Sequence, residues 1–403
     1  MEPPLSALPD LPVIRLRPKA DARRLRHGGP WVYANELVLD RRTKALAAGA
    51  LALLEDAGRA PIGTVAVNMG SKIAGRILTR DPAEAVDAGW IAAKLTQALA
   101  LRERIYDAPF YRLVHAEGDG LPGVVIDRFG EVAVLQANAA WADRRKAEFA
   151  AALAGLGMST VILNGTGRAR SLEGLQELRE VIAGQPPEGP IPVPMNGAIY
   201  MADLMEGQKT GLFYDQRPNH AFLQKLVAGG QVLDVFSHVG GFGLAALAAG
   251  AAEVTAVDGS APALALAEEG ARRMAAEDRY RTEQGDAFDV LARLGSEGAR
   301  FDHVVCDPPA FAPAKPALEA GLRAYEKTAR LAAPLVAPGG TLVLCSCSHA
   351  ASLEKFRAAS LRGVARSGRE AQVLHTGAAG PDHPQHPALA ETSYLKALFL
   401  RLL

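Results

Sequence analysis

The sequence predicts an α/β protein that ends in a doubly wound, Rossmann-like domain, and three features carry the prediction. The first is VLDVFSHVGGFGLAALAAG (232–250), an apolar strand that delivers Asp234 to a glycine-rich turn and then enters a helix. The second is EVTAVDGS (253–260), a further apolar strand that ends in an acid, Asp258. The third is the alternation of helical and strand patterns that continues through residue 348, with polar residues at the strand ends where open α/β sheets bind ligands.

A chain of 403 residues is longer than one core usually organises, so two or three domains are expected. With 49% hydrophobic and 22% charged residues it has the make-up of a globular protein, not of a disordered one. The formal net charge is zero, yet residues 11 to 80 hold 13 Lys plus Arg against 5 Asp plus Glu. That local excess points the segment at an anionic partner, with a solvated basic face as the alternative. Three cysteines, Cys306, Cys345 and Cys347, leave an odd number and no four-ligand zinc spacing, so no bound metal is expected. A reducing cytoplasm is the matching compartment. The opening MEPPLSALPDLP has acids and prolines where a secretory leader has a basic start and an apolar stretch, and no uncharged run is long and apolar enough to span a bilayer.

Three domains are expected, over 11–80, 85–195 and 196–403. In the first, VIRLRP (13–18) reads as a strand, ADARRLRHG (20–28) as a short basic helix closed by glycine, and PWVYANELV as a returning strand. ALALLED (50–56), PIGTVAVN (61–68) and KIAGRILTR (72–80) complete a β-rich module with one helix. Arg23, Arg24, Arg26 and His27 stand near Trp31 and Tyr33, a mixture of cations and aromatics that suits phosphate contact and base stacking. Trp31 and Tyr33 alternate on one strand face, so core positions suit them as well.

The middle domain begins after Asp81-Pro82 with a helix over 90–107. Two strands follow within 111–138, joined by turns at Gly118-Asp119-Gly120 and Phe129-Gly130, then a helix over ADRRKAEFAAALAGL, the strand VILNG and the turn-forming QPPEGP (185–190). Arg112, Glu117, Asp119, Asp127 and Arg128 fit turn chemistry and surface pairing, and none is assigned a role. NGAIYMADLMEGQKTGLFYDQRPNHAFLQKL (196–226) leads into the third domain, and its Gln208, Lys209, Thr210, Asp215, Gln216 and Arg217 read as a lid or approach loop, or as a solvated connection.

The strand-end residues define a candidate site. A dinucleotide fold wants Gly-x-Gly-x-x-Gly directly after its first strand, so that helix-terminal N–H groups meet a pyrophosphate. Here the glycines are spaced differently, and Asp234 at the strand tip would repel a pyrophosphate while suiting a methionine-derived sulfonium and its amino group. S-adenosylmethionine is therefore expected in preference to NAD. The loop with Asp234, Phe236, Ser237, Gly240 and Gly241 should hold the methionine end, Asp258 with Ser260 the ribose, and Asp286 with Ala287 the adenine.

In FDHVVCDPPAF (301–311) a strand ends in Asp307, and Pro308 and Pro309 keep the next carbonyls out of ladder and helix bonding. An acid followed by fixed carbonyls can receive the amino group of a nucleobase, with Phe311 as a ring to stack on it. In LAAPLVAPGGTLVLCSCS (331–348) a helix, a Pro-Gly-Gly turn and a buried strand lead to Cys347. Cys345 and Cys347 share a strand face, and Cys347 lies about 6.6 Å nearer the end where ligands are expected. Cys306 reads as a buried thiol.

The order QKTGLFYDQRPNH, VLDVFSHVGGFG, AVDGS, GDAFD, CDPPAF, CSCS and DHP…ETSYLKALFLRLL resembles the bacterial 23S rRNA cytosine-5 methyltransferases. WVYANEL is similar to their N-terminal PUA RNA-binding domain and RLVHAEGDGLPGVVIDRFG to their small α/β middle domain, which precedes a class I methyltransferase domain. The resemblance implies S-adenosylmethionine as cofactor, 23S ribosomal RNA as partner with no membrane, Asp307 as the acid of the base-binding motif, and Cys347 as the attacking thiol. It leaves monomer and homodimer open. His238 stands where tyrosine is usual, Ala310 where lysine is frequent and His349 where glycine is common, departures that bear on the shape of the base pocket. Two other readings are an RNA methyltransferase acting on a base nitrogen, which needs no thiol, and an RNA-binding or ribosome-assembly protein without turnover.

Overall fold

The computed structural model describes residues 10–207 and 210–403. They form two compact units: Gly189–Gly207, Gly211–Pro381 and Glu391–Leu403 make one, and the preceding residues with Thr210 and Asp382–Ala390 make the other. Among the described residues no helix is long and apolar enough to cross a membrane.

The unit with the lower residue numbers holds two five-stranded sheets. Strands β1 (Val13–Arg15), β2 (Trp31–Tyr33), β3 (Leu51–Glu55), β4 (Pro61–Val67) and β5 (Ile73–Thr79) lie in the order β1-β3-β4-β5-β2 around Ile14, Leu25, Val32, Leu54 and Val65. Leu25 comes from the helix Ala22–Arg26, which begins where the Asp21 side chain accepts the Arg24 amide at 2.9 Å. The strand expected over PWVYANELV stops at Tyr33, because the Glu36 carboxylate turns back to accept the Tyr33 amide at 2.8 Å and closes a 3₁₀ turn. A second short helix, Arg41–Lys44, adds to the single one expected.

The second sheet has the order β10-β9-β8-β7-β6, from β6 (Phe110–His115), β7 (Val124–Phe129), β8 (Val132–Ala137), β9 (Thr160–Asn164) and β10 (Arg179–Ala183). Residues 110–137 thus make three strands where two were expected, since each of the two turns reverses the chain. The expected helix over 142–156 is two, Ala140–Arg144 and Lys146–Gly155, parted at Arg145, whose guanidinium reaches Glu148 and the Val86 carbonyl. Ala66 and Leu78 of the first sheet belong to the core of the second, beside Trp90, Tyr111 and Trp141. Arg76 joins the sheets by ion pairs with Glu117 and Glu173 at 3.0 Å each, and the Trp31 indole N–H donates to Glu117 at 2.8 Å. Trp31 is thereby a junction residue.

The polar residues left unassigned in the middle region are internal partners. Arg112 forks onto Asp127 at 2.8 and 2.9 Å, and the wholly buried Arg102 forks onto Asp119 while donating to the Asp382 carbonyl at 2.8 Å. The Arg112 amide donates to the Asp382 carboxylate at 3.1 Å, which fastens Asp382–Ala390 to β6.

The other unit starts with the hairpin β11 (Ile191–Met195) and β12 (Ala198–Ala202), turned by Asn196-Gly197 with φ of 53° and 75°. Its main sheet contains β13 (Gln231–Val235), β14 (Glu253–Asp258), β15 (Tyr280–Gln284), β16 (Phe301–Cys306), β17 (Val336–Ser346), β18 (Ala371–Gly377) and β19 (Lys396–Leu402), in the order β15-β14-β13-β16-β17-β19-β18. Strands β13 to β17 run parallel and β19 inserts antiparallel between β17 and β18. Connections leave β13 in one direction and return at β16 on its other side, so a crevice forms at their C-terminal ends. The expected Pro-Gly-Gly turn lies inside β17, absorbed by a register shift between Phe301 and His303 on β16.

Asp234 near the end of β13 is 0% exposed, and its Oδ2 accepts the Gly243 amide at 2.7 Å. A Cβ at Gly243 would lie 3.0 Å from Val254 and 3.1 Å from that oxygen, so glycine is what lets the chain come this close. Burial pushes the Asp234 carboxyl up to about 7, against the downward pull of the Gly243 bond. A carboxyl raised on folding contributes stability that is present below its unfolded value and is lost as pH rises through the folded one. Relative to Asp234→Asn, which keeps an acceptor for Gly243 and does not titrate, the native chain should lose urea resistance between pH 4 and pH 7 and then level off. Denaturation midpoints whose difference is constant over this range would contradict the perturbed carboxyl.

Candidate active site

The chain between β13 and β14 converges on Asp258. Phe236 and His238 take positive φ of 63° and 49°, and Gly240 takes 83° at a point where a Cβ would stand 2.7 Å from the Tyr280 hydroxyl. This contorted loop is held by backbone bonds: the Ser237 amide to the Val257 carbonyl at 3.0 Å, and the His238 amide to Asp258 Oδ2 at 2.9 Å. Asp258 Oδ1 accepts the Ser260 amide at 2.8 Å, so the carboxylate ties two loops together and each oxygen keeps a further acceptor position for a ligand hydroxyl. Ser260 caps the helix Ala261–Arg273 and Gly241 opens the helix Gly241–Ala248.

Asp286 is exposed past β15, where its Oδ1 accepts the Phe288 and Asp289 amides at 2.9 and 3.2 Å and caps the helix that starts at Ala287. The Ser237 hydroxyl and Asp234 Oδ1 are buried without hydrogen-bond partners among the described residues. Asp234 is buried beside the loop, with Oδ2 taken by the Gly243 amide, so it shapes the loop through that bond. A bent loop with an unfilled buried hydroxyl, next to an acid with open acceptor positions, is built for a polar ligand.

Asp307 stands just past β16, half-buried, with its amide on the Val235 carbonyl at 3.2 Å. Gln216 Nε2 donates to its Oδ2 at 2.9 Å, Asn219 Nδ2 donates to Gln216 Oε1 at 2.6 Å, and Asn219 also reaches the Ala378 carbonyl. Gln216 and Asn219 are buried, so this part of the expected lid is a relay of amides that orients the acid. Gln208 and Lys209 of the same expected lid lie outside the described residues. Pro308 is buried and Pro309 exposed. The Phe311 ring packs among Phe288 at 6.1 Å, Phe236 at 6.3 Å and Tyr325 at 5.0 Å, a cluster invisible in the spacing because each ring comes from a different element.

The three thiols differ in access. Cys306 in β16 and Cys345 in β17 are buried, and burial pushes both up, reinforced for each by the negative charge of Asp307. Cys347 is half-buried and sits one residue past β17. Ser346 and Ser348, on either side of it, share the Tyr325 hydroxyl at 2.9 and 2.7 Å, and the Ala312 amide donates to Ser348 at 2.9 Å. Lys396 donates to the Ser348 and Ala351 carbonyls. Tyr325 carries no signal in the sequence, and Lys396 stands in ETSYLKALFLRLL without an assigned role, since only the helix Leu318–Ala332 and the pairing of β17 with β19 bring them to this loop.

In the first sheet's unit, Arg23 is exposed and its side chain has no partner among the described residues. Arg24 does not share that freedom: its Nη2 bonds both Glu36 oxygens at 2.9 and 3.0 Å and the Trp31 carbonyl at 3.1 Å. Its guanidinium is an internal brace, which leaves Arg23 as the better placed of the two for a phosphate.

Residues 171–401, more than half of the chain, match the family model described as S-adenosylmethionine-dependent methyltransferase, and residues 14–80 match that of a PUA-like domain. A ribosomal RNA large subunit methyltransferase of Deinococcus radiodurans is 36% identical over 100% of both chains. A ribosomal RNA large subunit methyltransferase I of Klebsiella pneumoniae is 31% identical over 99% of both. A solved S-adenosylmethionine-dependent methyltransferase from Streptococcus mutans shares the fold, with a TM-score of 0.80 at 18% identity over 97% of this chain and 100% of that one. With its β13 loop, Asp258 and the strand order of its main sheet, the chain belongs to the S-adenosylmethionine-dependent methyltransferases, uses S-adenosylmethionine as cofactor and carries a PUA-like domain over residues 14–80.

Proposed function

We propose that the protein methylates carbon 5 of a cytosine in 23S ribosomal RNA, with Cys347 as nucleophile. The observation that carries the reading is that Cys347 alone of the three thiols is only half-buried, at the end of the strand neighbouring the one that ends in Asp307. The names of the relatives, ribosomal RNA large subunit methyltransferases over nearly their whole length, support the substrate class. Carbon 5 of cytosine is too weak a nucleophile to be methylated unaided. The Cys347 thiolate adds to carbon 6, which makes carbon 5 enamine-like; bound S-adenosylmethionine supplies the methyl group; a base then removes the carbon 5 proton, and elimination returns the thiolate. Asp307, oriented by Gln216, bonds the ring nitrogen and amino edge of the base and stabilises the adduct.

For the cofactor, the Phe236 to Gly241 loop receives the methionine end, Asp258 with Ser260 the ribose, and Asp286 with Ala287 the adenine. Pro308, Pro309 and Phe311 line the base site. Residues 11–80, with Arg23 foremost, hold RNA phosphates, residues 85–195 brace that segment, and 196–403 carry the reaction, in the cytoplasm where ribosomes are made.

Three measurements test this reading. RNA carrying 5-fluorocytosine at the target should trap the native protein covalently, because no carbon 5 proton remains to be removed. Cys347→Ala should abolish trapping and Cys345→Ala should not; methylation that survives both changes would move the acceptor to a base nitrogen, as nucleoside analysis would reveal.

Asp258→Asn should weaken cofactor binding about tenfold or more, the loss expected for charge-assisted bonds of about 1.5 to 3 kcal/mol. Calorimetry with unchanged affinity would remove Asp258 from the cofactor site.

Arg23→Glu should weaken RNA binding and lower the slope of log affinity against log salt by about 0.7 to 0.9 for the lost phosphate contact, leaving cofactor affinity as it is. An identical slope would make the basic face a solvated one. A point change is preferable to deleting residues 1–80, since Ala66, Leu78 and Arg76 help to build the second sheet's surroundings.

A further inference from the structure

We infer that the Lys396 ammonium both clamps the loop that carries Cys347 and stabilises a thiolate on that residue, as a positioning residue for the reaction. The inference rests on the reading of Cys347 as the nucleophile. Lys396 is the first residue of β19 and pairs with Ser346, the last of β17, so its side chain leaves the sheet on the same face as Ser346, directly beside the point where the chain turns out to Cys347. It is 6% exposed, and its Nζ donates to the Ser348 and Ala351 carbonyls at 2.7 Å each. Those carbonyls bracket the turn between β17 and the helix Leu353–Arg366, so one side chain fixes both halves of the segment that presents the thiol.

The charge is what makes this more than a brace. A buried ammonium is costly unless a negative charge or several acceptors compensate it. Among the described residues no carboxylate lies within ion-pair distance of Lys396, and the negative charge that bears on it is the Cys347 thiolate, which works against the burial that brings the amine down to about 8. The effect is reciprocal: an ammonium favoured by a neighbouring thiolate favours that thiolate equally. The titratable groups that the described residues place against this loop or in the neighbouring strand ends do not take over this part. The Tyr325 phenol faces Ser346 and Ser348 and is held up by burial, Cys345 is a buried neutral thiol, and Asp307 carries a negative charge that works against a thiolate on this side of the sheet. Two carbonyl bonds alone need no charge, since an uncharged amide can donate to them as well.

That difference sets the experiment. Iodoacetamide alkylation of Cys347 in the full-length protein is followed from pH 6 to 10 by site-resolved mass spectrometry, with buried Cys306 and Cys345 as internal references, for the native chain, Lys396→Gln and Lys396→Arg. Lys396→Gln keeps a donor for the loop and removes the charge. It should alkylate about tenfold more slowly at pH 7 and reach the native rate at high pH, the pattern of a thiol displaced upward by about one pH unit. Lys396→Arg should recover most of the native profile. A Lys396→Gln protein that binds S-adenosylmethionine normally and shows the native profile would overturn the inference, as would an equal slowing at every pH, which is the mark of a misplaced loop. Should methylation survive Cys347→Ala while the alkylation profile still shifts as expected, the nucleophile assignment falls and the Lys396–thiolate coupling stands.

Discussion

The methyltransferase unit depends on one buried acceptor. Asp234 sits at the centre of the sheet with no exposure to water, and its bond to the Gly243 amide fixes the start of the following helix against the end of β13. Between these two points the chain has to pass through Phe236 and His238 at positive φ, conformations that cost of order 1 to 3 kcal/mol each in non-glycine residues. Such a path persists only where its surroundings over-determine it. Asp234 from below, Asp258 from the side and the Val257 carbonyl supply that constraint, and the result is a loop whose shape is set before a ligand arrives.

The same economy of elements places the groups proposed to react. β16 and β17 are hydrogen-bonded neighbours, so their C-terminal ends bring Asp307 and the Cys347 loop to adjoining positions although 40 residues separate them in the chain. Each is then oriented by groups from elsewhere: the acid by the Gln216 and Asn219 amides, the thiol's loop by the Tyr325 hydroxyl and the Lys396 ammonium. Cys306 and Cys345 lie deeper, and burial holds both thiols neutral, since a thiol with no water around it has little to support its charge.

In the other unit, part of the local positive charge is already matched. Arg15 pairs with Glu55, Arg24 with Glu36, Arg26 with Asp56, and Arg76 with two glutamates of the second sheet's region. These pairs use three of the five acids of residues 11–80, and Asp21 and Asp40 cap helices, so cations such as Arg23, without a partner among the described residues, define whatever face meets an anion. The shared core and the Arg76 pairs also join the first sheet to the second across the boundary expected at Asp81-Pro82.

The sequence by itself determined the alternation of strand and helix from residue 231 onward, the glycine turn, and the acids at the ends of β14, β15 and β16, because periodicity and punctuation are local properties of a chain. The Asn196-Gly197 hairpin is an equally local signal, two turn residues between short apolar strands. What the sequence did not reveal is what each polar residue bonds to. Asp234 and Arg24 were singled out as ligand groups for their charge, and the fold turned both inward; Gln216 looked like part of a lid and became the support of Asp307; Tyr325 carried no motif, and Lys396 stood in ETSYLKALFLRLL without a role of its own. Burial and partners are decided by which elements pack together, and the pairing of β19 with β17, like the meeting of Gln216 with Asp307, joins residues from about 50 to 90 positions apart, a separation over which no sequence spacing carries information.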